Sequence, residues 1–64
     1  MIVKKGTVVR FKGNPKQAYN LKLGGLYVVM VELNTYYASW YVIKNDKGLL
    51  KEYIYHYFEI ILTP

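Results

Sequence analysis

Sixty-four residues without a single cysteine leave a fold nothing but packing to hold it together. A domain this short buries only about 60% of the surface its unfolded chain exposes, and many such domains are stapled by disulfides or a metal. Disulfides are impossible here, and the one histidine, His56, is too few for the usual Cys/His zinc sites. The core must come from packing alone, or from packing plus self-association. Aromatic residues supply the means: eight Tyr, two Phe and one Trp. Each buries a large area and favours extended backbone. The length allows one domain, residues 1–64.

The chain reads as short strands cut by turn signals. Residues 7–12 make a first strand that stops at Gly13-Asn14-Pro15. A long loop, 13–25, follows; its Tyr19, Leu21 and Leu23 point to part of it folding back onto the core. Residues 26–33 form the strongest strand, because their branched and aromatic content opposes a helix. Asn34-Thr35 turns into a strand over 36–44. Neither parity of that strand is cleanly polar, so its inward face is open between the Trp40 side and the Tyr41 side. Asn45-Asp46-Lys47-Gly48 is the clearest turn, since Asn and Asp bond locally to backbone and Gly48 tolerates positive φ. A fourth strand covers 49–55, a tight helical turn 56–58, and a last strand 59–62. This order predicts an all-β, five-stranded SH3-like barrel, with a long loop after strand 1 and a short helical turn before the last strand. Closure also removes exposed edges. The rival OB-fold usually carries a helix between strands three and four, for which residues 44–49 leave no room.

Several spaced residues carry a resemblance. They are Val9-x-Phe11, Leu23-Gly24-Gly25-x-Tyr27-x-Val29, Tyr41-x-Ile43-x-Asn45-Asp46-x-Gly48, Tyr53, and Phe58-Glu59-x-Ile61. This frame, spanning residues 8–61, resembles the short SH3-like barrel proteins encoded by phages and mobile elements of Gram-positive bacteria. Gly25 stands where that family often has a basic residue, and this chain is more basic and richer in tyrosine than many members. The resemblance implies the fold and a phage-like origin. Most members have no assigned activity, so it transfers no functional residue.

The residues themselves exclude more than they assign. One Ser, one His and one Asp (Ser39, His56, Asp46) would have to converge for a nucleophilic triad, and nothing in their spacing brings that about. Glu52 with Glu59, or His56 with Glu59, is a chance-level pair. Gly24-Gly25 lacks a phosphate-loop context. The expectation is a non-enzyme with no cofactor and no metal. The longest apolar run, 26–31, is far short of the ~20 residues of a membrane helix, and the lack of cysteine fits a reducing compartment. A cytoplasmic protein of the host cell, without membrane contact, is expected.

Charge is the remaining signal. Residues 1–22 carry six cations and no acid, whereas 23–64 carry three cations and four acids, so +6 and −1 give the net +5. Such a charge keeps a small domain soluble, and it also suits an anionic partner. Arg10 and Lys12 share the outward face if Val9 and Phe11 point inward, and Lys4, Lys5 and Lys16 extend the patch. Tyr36, Tyr37 and Trp40 lie at or beside a hairpin tip. The leading expectation is a small binding module of phage type. It engages a host or phage protein, inhibiting a host machine or defence system, through Arg10, Lys12, Lys16, Tyr36, Tyr37 and Trp40. The alternative is nucleic-acid binding, with lysines tracking phosphates and tyrosines stacking on bases, although no nucleic-acid motif is present. A homo-oligomer is the third reading, motivated by apolar residues on both strand parities.

Overall fold

The computed structural model describes residues 3–64. Its elements are β1 (Val8–Phe11), β2 (Leu26–Asn34), β3 (Ser39–Lys44), β4 (Leu50–Ile54), a 3₁₀ turn (Tyr55–Tyr57) and β5 (Phe58–Leu62). The strands form one antiparallel sheet in the order β4-β3-β2-β1-β5. The chain is therefore all-β with five strands, as its sequence predicts. Closure differs: among the described residues no ladder joins β4 to β5, and the sheet is open rather than a hydrogen-bonded barrel.

β2 is shared between two half-sheets. Its first part pairs with β1, with Val8 opposite Val28 and Arg10 opposite Leu26. Its second part pairs with β3, from Val29 opposite Ile43 to Asn34 opposite Ser39. The register shifts between Val29 and Val31, leaving Met30 as the extra residue of a bulge. A bulge bends its strand and increases the local twist. The curl this produces is required by the connection that follows. A flat sheet of five strands would hold its two edges ~19 Å apart, at ~4.8 Å per neighbouring pair. Yet only a three-residue 3₁₀ turn, rising ~2 Å per residue, links the end of β4 to the start of β5.

Alternation along these curled strands builds the core. Val9 and Phe11 of β1, Tyr27 and Val29 of β2, Tyr41 and Ile43 of β3, and Phe58 of β5 point inward, joined by Val3, Ala18 and Leu21. The odd residues of β3 thus face the core, and Trp40 and Val42 face outward, half-buried. In the long loop Leu21 folds back as expected, whereas Tyr19 and Leu23 stay exposed and the small Ala18 takes the buried place. The Phe58 ring packs at centroid distances of 5.8 Å from Phe11, 5.8 Å from Tyr41 and 6.4 Å from Tyr53.

Several boundaries depart from the sequence pattern: β1 is Val8–Phe11 rather than 7–12, and β4 starts at Leu50 rather than 49. β2 runs on through Asn34, so the turn occupies 35–38 and the strand predicted over 36–44 begins only at Ser39. Thr35 causes this: its Oγ1 donates to the Ala38 carbonyl (2.9 Å) and accepts from the Ala38 N–H (3.2 Å), locking a tight turn that excludes Tyr36 and Tyr37 from the ladder. The helical turn starts at Tyr55, one residue early, because Phe58 is held in β5 opposite Phe11. The fourth strand ends at Ile54, since Tyr55 already belongs to that turn.

The long loop is tied to the β3–β4 turn by side chains. Asn45, buried, accepts from the N–H groups of Lys47 (3.0 Å) and Leu49 (3.1 Å) through Oδ1 and donates through Nδ2 to the Tyr53 hydroxyl (3.2 Å). Tyr53 in turn donates to the Tyr19 carbonyl (3.0 Å). The Asp46 N–H donates to the Asn20 carbonyl at 2.9 Å. The Tyr27 hydroxyl donates to Asp46 Oδ1 (3.0 Å) and accepts from the Lys22 N–H (2.8 Å).

Two substitutions test this packing. A Cβ on Gly13 would sit 2.6 Å from Cδ1 of Tyr57 and 2.9 Å from Cε1 of Phe11. Gly13→Ala is expected to destabilise by about 1–3 kcal/mol, the usual cost of overpacking, read as a lower urea midpoint. The Thr7 hydroxyl is fully buried with no hydrogen-bond partner among the described residues. Thr7→Val keeps the shape and removes that desolvated group, so it should raise stability by about 1 kcal/mol in the same measurement.

Candidate partner-binding surface

The β2–β3 turn ends in two tyrosines that bury almost nothing. Tyr36 is 94% exposed and Tyr37 90%, and their rings meet edge to face at 5.1 Å. Both are held out by the Thr35–Ala38 lock, which leaves them no inward direction. The same Thr35 Oγ1 accepts from the Trp40 indole N–H (3.2 Å), fixing the indole on the outer face beside them.

Register extends this aromatic end into an apolar strip. Leu33, Trp40 and Ile54 stand opposite one another across β2, β3 and β4, and Val31, Val42 and Glu52 form the adjacent row. All point away from the core, since Tyr41 and Tyr53, between the rows, point into it. Val31 and Leu33 are largely exposed. A groove of about 350 Å³ lies at the aromatic end, lined by Thr35, Tyr37, Trp40 and Glu52. Of this strip the sequence signalled only the aromatics. Leu33, Ile54 and Glu52 join them because Tyr41 faces inward, which a strand without polar alternation does not reveal.

The basic residues stand elsewhere. Arg10 and Lys12 are exposed, as Val9 and Phe11 point inward. Arg10 is engaged by Glu59 at 3.5 Å on the neighbouring β5 strand. Lys16 sits in the loop, its N–H bound to Asn14 Oδ1. Arg10 lies opposite Leu26, where β2 begins, and the tyrosines follow Asn34, where it ends. Eight steps of ~3.3 Å put ~26 Å of strand between them. The six expected contact residues thus form two groups: Tyr36, Tyr37 and Trp40 together, and Arg10, Lys12 and Lys16 at the far end of β2.

The scarce catalytic residue types do not meet. Ser39 Oγ donates to Asn34 Oδ1 (2.7 Å), and Asp46 is engaged by Tyr27. His56 is exposed between the rings of Tyr55 and Tyr57. Among the described residues, no three His, Cys, Asp or Glu side chains gather to hold a metal, and no helix is long and apolar enough to cross a membrane. No protein-family model, curated protein or solved structure matches the chain.

Two phenols of the core, Tyr27 and Tyr41, are held in their neutral form by burial. Burial pushes the Tyr27 hydroxyl above the usual 10.0; the Lys22 N–H opposes the shift, and the hydrogen bond to Asp46 adds to it. Burial also raises Tyr41, with the charges of Glu32 and Tyr55 adding. For a pKa raised by folding, the stabilisation is complete below the unfolded value and is lost as pH climbs toward the folded one. Thermal stability is therefore expected to hold up to about pH 10 and to fall above it. Tyr27→Phe should flatten that fall while costing about 1–2 kcal/mol at neutral pH, because the Lys22 N–H loses its acceptor. Melting curves between pH 8 and 11.5 give both readings.

Proposed function

We propose that this chain is a small, non-enzymatic binding module that engages a protein partner through the outer face of β2–β3–β4. One observation carries the reading: Tyr36 and Tyr37 are held in solvent beside an outward Trp40 and an apolar strip. A rigid turn that presents aromatics instead of burying them suits an interface, where Trp and Tyr are the usual anchors. The dispersal of Ser39, His56, Asp46 and the glutamates supports a non-catalytic role. The strand order, the long loop after β1 and the 3₁₀ turn before β5 support an SH3-like fold. With the sequence resemblance, they support a phage-type protein acting on a bacterial host component.

A second reading, nucleic-acid binding, has one observation in its favour. Among the described residues the only ion pair is Arg10–Glu59, so the loop lysines Lys12, Lys16 and Lys22 are without acidic partners. Asp46 and Asn20 bring Lys47 alongside that loop. Exposed Tyr19 shares the loop with these lysines, but Tyr36, Tyr37 and Trp40 are not beside them, and the acid Glu52 borders the aromatic groove, which weighs against bases stacking there. A protein partner is the better match.

Affinity capture from bacterial lysate, with and without nuclease, separates the two. A protein retained at fixed stoichiometry after nuclease is expected. Tyr37→Ala and Trp40→Ala, checked for folding by circular dichroism, should each weaken capture about tenfold or more. Full capture by folded variants removes the aromatic surface. Recovery that vanishes with nuclease and falls steeply with salt makes nucleic acid the partner.

A further inference from the structure

We infer that the groove between Tyr37 and Trp40 receives an arginine side chain of the partner protein, with Glu52 as its counter-charge; this rests on reading that face as the partner surface. Two aromatic side chains and one carboxylate line the groove together with Thr35. Glu52 stands opposite Val42 and Trp40 opposite Ile54. Glu52 is therefore one diagonal step from Trp40 on the same face, a separation that long side chains span. Within 4.0 Å it meets no cation among the described residues, although the chain carries nine. Lys51, its neighbour in sequence, projects from the opposite face of β4.

Trp40 is the more constrained wall. Its N–H is used by Thr35, which fixes the indole and leaves its outer side to a ligand. Cations are attracted to tryptophan faces. A guanidinium is flat, so it can lie on an indole while its edge meets a carboxylate, whereas an ammonium is a compact point charge without that double fit. A nucleic-acid phosphate at the same place would meet Glu52 and be repelled.

Trp40 is the only tryptophan of the chain, so its fluorescence, excited at 295 nm, reports on this groove directly. The probes are N-acetyl-arginine amide, its uncharged isostere N-acetyl-citrulline amide, and N-acetyl-lysine amide, titrated at constant ionic strength. Arginine is expected to bind at least about threefold more tightly than citrulline and more tightly than lysine. Glu52→Gln should abolish the preference over citrulline with the fold unchanged, and Tyr37→Ala should weaken arginine alone. Equal affinity for arginine and citrulline, or no effect of Glu52→Gln, overturns the inference, and lysine binding as tightly as arginine overturns the guanidinium assignment. The lysate capture is read separately: partner loss in Trp40→Ala without any arginine preference leaves the surface standing and removes only this ligand.

Discussion

Phe58 touches both halves of a sheet that no ladder closes among the described residues. Its ring lies against Phe11 of β1, Tyr41 of β3 and Tyr53 of β4, while its backbone opens β5 opposite Phe11. Aromatic pairs of this kind add about 0.5–1.5 kcal/mol each beyond the area they bury. Three such contacts converge on one side chain at the point where the chain crosses from one edge of the sheet to the other. The curl of β2 at Met30, the short 3₁₀ connection and the inward parity of β3 are all consistent with Phe58 at that centre. Once Tyr41 is drawn to it, Trp40 has no direction left but outward.

Tyrosine does what cystine does in other domains of this size. Tyr27 and Tyr53 place their rings in or against the core, and their hydroxyls reach the polar layer where the long loop meets the β3–β4 turn. A phenylalanine would supply the apolar contact and leave Lys22 N–H and the Tyr19 carbonyl without these partners. The loop from residue 12 to 25 has no secondary structure of its own, so these hydrogen bonds, with buried Ala18 and Leu21, hold its path. Exposed Tyr36 and Tyr37 do nothing comparable for the fold, and the contrast sets them apart as surface equipment.

Much of this was legible in the sequence where one physical preference dominated. The branched run 26–33 made a strand, and Asn45 to Gly48 made a turn. The rest depended on interactions between distant residues. The inward side of β3 is the one that packs Tyr41 against Phe58 and buries Ile43, which no local polarity marks. The length of the β2–β3 turn is set by a hydroxyl, that of Thr35, which competes with strand pairing. The open edge between β4 and β5 reflects how tightly β2 bends, a property that composition does not express. Glu52 enters the surface only through register, so no motif could have flagged it.

The strand order has a consequence for how the chain reaches this state. β2, β3 and β4 are joined by tight turns and pair with their neighbours in sequence, whereas β1 waits for β5, nearly the whole chain away. Local pairings form early because little loop entropy opposes them, and distant ones come late. The meander carrying Trp40 and the tyrosines is thus positioned to assemble first. During synthesis β1 emerges before its outer partner exists, with Phe11 lacking the ring that packs against it until Phe58 is made. Docking of β5 onto β1 is the pairing that closes the longest stretch of chain.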